Sequence, residues 1–128
     1  MPNRWGIPKE VEELVKARDL ACVYCGVSFH DSDGSTRSKP SWEHIINDIR
    51  INGPENIALC CRSCNASKGA KELEVWLLSS FCQKKGISNS TLAPVVLDYL
   101  KGKLSLLSIA FLYALLFPGI KYCLTLST

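Results

Sequence analysis

A chain of 128 residues has room for one domain with a modest core, and not for two. Its 47% hydrophobic and 21% charged residues exclude a disordered or low-complexity protein. The net charge of +3 tolerates a polyanionic partner without requiring one.

Pro8 stands where a first-turn proline is tolerated, and Val11, Leu14, Val15 and Arg18 recur along one face of PKEVEELVKARD. The spacing predicts an amphipathic helix over residues 8–19, acidic early and basic late as the macrodipole prefers. CVYCG (22–26) reads as a tight turn, and DSDGSTRSKP (31–40) as a polar loop. SWEHII (41–46) and IALCC (57–61) read as two short strands, with INGPEN between them supplying turn chemistry through Asn52, Gly53 and Pro54. Beyond Arg62 the pattern turns helical, breaks near Gly69 and resumes in KELEVWLLSSFCQKK, where Leu73, Trp76, Leu77 and Phe81 share a face. Gly86 is the expected stop, and Ser88 and Ser90 are candidate caps for TLAPVVLDYL.

The composition changes near Lys103. All 12 acids and 14 of the 15 basic residues precede Leu104, and Lys121 is the one formal charge after it. LSLLSIAFLYALLF is a run of 14 uncharged residues, short of the roughly 20 that a membrane span takes. A buried or interfacial helix is expected there, and the chain divides into 1–103 and an apolar, helical segment 104–128.

The seven cysteines are Cys22, Cys25, Cys60, Cys61, Cys64, Cys82 and Cys123. Their odd number, and a polar, proline-containing start unlike a secretory leader, argue against a secreted disulfide scaffold. A cytoplasmic location is expected, where close-set thiols hold metals more often than disulfides. Cys22-Val-Tyr-Cys25 and Cys61-Arg-Ser-Cys64 are two C-x2-C pairs, 35 residues apart. Each can bite one ion from a turn, and together they complete a closed tetrahedral zinc site. Strand neighbours face opposite ways, so Cys60 is expected in the core when Cys61 faces the ion, with Cys82 and Cys123 also in the core. A closed four-thiolate site does not catalyse; it staples.

Chemistry is expected between the pairs. Hydrolysis of a phosphodiester needs a base for water, a cation for the developing charge and a group that orients the base. Of the two histidines between the pairs, His30 and His44, only His44 stands in the cluster with Glu43, Asn56 and Asn65, and histidine titrates in the useful range. Glu43 and Asn65 offer oxygen ligands suited to Mg²⁺ or Mn²⁺. Asn56 can hold His44 in place, and Lys68, one helical turn from Asn65, can reach a phosphate. Arg37, Lys39, Arg50, Arg62 and Lys71 crowd the same region, as a phosphate groove or as a solvated face. Trp42 and Trp76 are expected in the core, and His30 in solvent.

In order, CVYCG, WEHI, ENIALCC and CRSCNASKG resemble the HNH endonucleases of the ββα-metal fold, in the branch braced by two zinc-binding C-x2-C pairs. The likeness covers about residues 5–94. It implies an α+β fold: a small ββα-metal core stapled by Zn²⁺ on Cys22, Cys25, Cys61 and Cys64, with flanking helices. It further implies a DNA endonuclease dependent on Mg²⁺ or Mn²⁺, with DNA as partner and no small-molecule substrate. His44 takes the place of the general base and Asn56 that of the middle asparagine. Asn65 takes the last position, a metal ligand that is often histidine, and Glu43 stands where aspartate or histidine is usual. Lys68, Arg62, Lys71 and Arg50 are the expected nucleic-acid contacts. Two other readings stay open: a non-catalytic zinc module that binds nucleic acid or protein, and a zinc protein anchored to a membrane through 104–120.

Overall fold

The computed structural model describes residues 3–30, 34–116 and 119. The chain runs through α1 (Lys9–Arg18), a 3-10 turn (Thr36–Ser38), β1 (Pro40–His44), β2 (Ile57–Cys61) and α2 (Arg62–Lys68). It continues through α3 (Leu73–Leu77), α4 (Ser80–Lys85) and α5 (Pro94–Leu116). The expected α+β class is met by helices around a two-stranded antiparallel sheet.

The sheet pairs Trp42 with Leu59, Glu43 with Ala58 and His44 with Ile57. Every residue of β2 is buried, because helices cover both faces of the sheet. Alternation along the strand then divides its side chains between two cores. Ile57 and Leu59 join Ile7 and Val15, with Trp42 half-buried beside them. Ala58 and Cys60 join Val23, Tyr24, Ile45, Trp76 and Val96.

Side-chain bonds from the C-terminal end of α1 dock it onto the strands. Arg18 donates to the carbonyls of Pro54 (2.7 Å) and Ile57 (2.8 Å), while buried Asp19 accepts from the Leu59 amide (2.9 Å). Arg18 and Asp19 also pair with each other, at 2.7 Å.

Helix stops fall where glycine marks them. Gly86 closes α4 at φ 74°, a left-handed conformation that frees its amide to bond back to the Cys82 and Gln83 carbonyls. The run KELEVWLLSSFCQKK divides into two helices, against the expectation of one. Ser79 is extended there, and its hydroxyl accepts from the Cys82 amide (3.3 Å), starting α4 afresh. β1 ends at His44, short of Ile46, and α5 begins only at Pro94. Ser88, an expected cap, instead accepts from the Ser90 amide within a turn.

Helix α5 spans 23 residues, about 34 Å at 1.5 Å per residue. Its first turns pack: Val96 is fully buried, and the Lys103 ammonium meets Glu74 at 3.1 Å. From Leu104 to Leu116 the helix continues as expected, but not buried. Leu106, Phe111 and Leu116 are each about two-thirds exposed or more, as 69%, 67% and 71%. Among the described residues no helix is long and apolar enough to cross a membrane. Cys123 and the rest of 120–128 lie outside the described residues.

Candidate functional site

The turn 22–26 and the β2–α2 junction bring four thiols together. The Sγ atoms of Cys22, Cys25, Cys61 and Cys64 all lie within 4.8 Å of one another, and this group can hold a metal ion such as zinc. Each pair is shaped by its own backbone. The Cys25 amide points at Cys22 Sγ (3.5 Å) and the Cys64 amide at Cys61 Sγ (3.4 Å), so both turns present sulfur to a common point. Packed this closely, the thiols shift one another's pKa. Contact with Cys25 pushes the Cys22 thiol up, and contact with Cys22 pushes Cys64 up. The same contacts hold Cys25 down at about 7 and Cys61 well below an ordinary thiol. Lys85 adds an ammonium 3.9 Å from Cys61 Sγ, a favourable charge beside a thiolate. Cys60 faces the other way, against Ser41 and Glu43, and burial pushes its thiol up.

Asn56 pins the connection between the strands. Its Oδ1 accepts from the Ile46 amide (2.7 Å), and its Nδ2 donates to the carbonyls of Ile46 (3.1 Å) and Ile51 (3.0 Å). It therefore fixes the backbone two residues beyond His44 and touches no atom of the ring. The ring is held by Asn52, which sequence reasoning treated only as a turn residue. Asn52 Nδ2 donates to the carbonyls of Ile49 (2.8 Å) and Gly6 (3.3 Å), so the amide's other atom is its oxygen. That oxygen lies 2.8 Å from His44 Nε2, which must donate to it. The neutral ring then carries its lone pair on Nδ1.

The remaining expected ligands do not meet His44. The alternation that separates Cys60 from Cys61 also separates Glu43 from His44: Glu43 faces α2, and His44 faces the N-terminal arm. Asn65 was expected as a ligand of the catalytic cation. It bonds instead to Ser41 Oγ (2.9 Å) and the Trp42 carbonyl (3.1 Å), because α2 runs along β1 and places residue 65 over the strand's start. One turn later comes Lys68, expected at a phosphate and found wholly buried. Its Nζ lies 3.3 Å from Glu43 Oε1 and 3.4 Å from the His44 carbonyl. The second Glu43 oxygen accepts from the Cys60 thiol at 3.7 Å. Burial raises the Glu43 pKa, against the opposing pull of Lys68.

The Mg²⁺ or Mn²⁺ implied by the resemblance does not fit this arrangement. Glu43 is closed by an ammonium and a thiol, and Asn65 is tied through its Nδ2 to Ser41 and the Trp42 carbonyl, apart from Glu43. Of the other expected nucleic-acid contacts, Arg50 pairs with Asp48 at 2.7 Å while its side chain stays exposed, and Lys71 donates to the Ser67 carbonyl and is exposed. Arg62 is exposed and, with Arg37 and Phe81, lines an open cleft of about 530 Å³.

Compared with protein-family models, curated proteins and solved structures, the chain matches none.

Proposed function

We propose that this chain is a DNA endonuclease of the HNH kind, stapled by zinc and using His44 as the general base. One observation carries the reading. The His44 ring is oriented through Nε2 by an asparagine that is itself fixed, so Nδ1 is left as its basic atom. A ring held in one tautomer by its second nitrogen is what a general base requires. Nδ1 takes a proton from the water whose oxygen attacks phosphorus, the bond from phosphorus to the 3′-oxygen breaks, and the leaving oxygen takes up a proton from solvent.

The surroundings support the reading. Two strands run into a helix between two cysteine pairs, and Asn56 locks the backbone that follows His44. Zinc suits the thiols: bonds of about 2.3 Å in a tetrahedron set sulfurs about 3.8 Å apart. Cys25 and Cys61 stand at 3.8 Å. Lys85 offsets part of the charge of such a site. DNA phosphates are assigned to Arg62 and Lys71, not to Lys68.

The second reading, a zinc module that binds nucleic acid without cutting it, draws on the closed Glu43–Lys68 pair. Supercoiled and linear DNA separate the two. Wild type and His44→Ala are incubated with each, in Mg²⁺, Mn²⁺ or EDTA. The nuclease reading expects cleavage by wild type alone; binding without cleavage by either protein favours the module.

A further inference from the structure

We infer that Lys68 is an internal counter-ion that keeps divalent cations off Glu43, so that a cation enters only by exchange with the lysine's ammonium. The inference takes its choice of ion from the nuclease reading. Its observations are independent of cleavage.

Glu43 lies on the core face of β1 and is 5% exposed; Lys68 is 0% exposed. Between them they satisfy most of each other. Lys68 Nζ meets Glu43 Oε1 and the His44 carbonyl, two oxygens that a hard cation would also use. The other Glu43 oxygen is held by the Cys60 thiol, and Glu43 faces Ala58 across the sheet, with Ala58, Ile45 and Cys60 all in the buried core. In such a place an ammonium and a divalent ion cannot share one carboxylate, because their repulsion is poorly screened. A cation bound there must displace Lys68, and Lys68 must then find solvent. Among the described residues, no second carboxylate contacts either group to hold both charges. Burial raises the pKa of Glu43, which strengthens its need for a positive neighbour.

Lys68→Met keeps an unbranched apolar chain one atom shorter and removes the charge, leaving Glu43 for a cation. The test is titration of zinc-loaded protein with Mn²⁺ at pH 8, with free Mn²⁺ followed by its paramagnetic resonance signal. Lys68→Met should bind one Mn²⁺ at least tenfold more tightly than wild type, and adding Glu43→Gln to it should remove that gain. Equal Mn²⁺ affinity in wild type and folded Lys68→Met overturns the inference. Should Lys68→Met not fold, wild type decides: tight binding of one Mn²⁺ that is lost in Glu43→Gln shows that Lys68 is no barrier. DNA cleavage plays no part in the readout, so failure of the nuclease reading and failure of this one give different results.

Discussion

An acid on the covered face of a two-stranded sheet must find its counter-charge inside the protein, and at Glu43 that partner is Lys68. Removing one half of a buried pair leaves the other charge stranded, which costs about 3–5 kcal/mol. Lys68→Ala should therefore lower the urea-unfolding free energy by that amount, while Lys71→Ala, whose side chain is exposed, should stay within about 0.5 kcal/mol of wild type. A Lys68→Ala loss below 1 kcal/mol would mean that water reaches the pair. His44 belongs to a different balance. His44→Ala should slow cleavage of supercoiled DNA by roughly a hundred- to ten-thousandfold while melting and DNA binding hold, since a base acts in the transition state. Asn52→Ala should slow cleavage less, because the ring remains but can turn. Unchanged cleavage in both variants would remove His44 from the chemistry.

At the scale of elements, the connection between β1 and β2 depends on one side chain. Asn56 makes three bonds to that connection, each worth about 1 kcal/mol, so Asn56→Ala should cost about 3 kcal/mol. A milder loss, with amide exchange at Ile46 unchanged, would show that the segment holds itself. The order of elements and both strands were readable from the sequence, since periodicity and glycine stops are local signals. The four-cysteine group was readable too, because C-x2-C spacing fixes geometry within one turn. What escaped was tertiary. Nothing near Ser79 in the sequence says that its hydroxyl will cap a new helix in place of staying within the old one. Nothing in RSCNASK tells how closely α2 will press Lys68 onto the strand, and lysine reads as solvated by default. Glu43 was the exception: period-two alternation, applied to the cysteines, already separates it from His44. Asn52 carried no signal, because a turn asparagine and one that reaches a histidine look alike.

For the whole molecule, α5 joins two unlike halves without a break. The half before Lys103 packs on the domain, and the half after it exposes leucines and Phe111 on several sides. Truncation after Lys103 should leave the melting temperature and any DNA cleavage nearly unchanged and reduce self-association, measured by light scattering against concentration. A truncated chain that no longer melts cooperatively would show that the tail completes the core. Chelation should act in the opposite sense. Stripping the metal should cost cooperative unfolding itself, and Cys61→Ser should reproduce that loss where Cys60→Ser does not.

The thiol cluster also bears on how quickly the fold is reached. Cys25 and Cys61 touch although 36 positions separate them, and the strands, the 3-10 turn and the His44 region all lie inside that loop. Closing a loop of this length costs chain entropy before any contact inside it repays the loss. A captured ion closes it in one event. Refolding from urea should then quicken with free Zn²⁺ until capture is no longer the slow step, while unfolding in chelator-free buffer stays slow. A metal held by the thiols would in this way govern the rate at which His44 comes into position, without ever touching it.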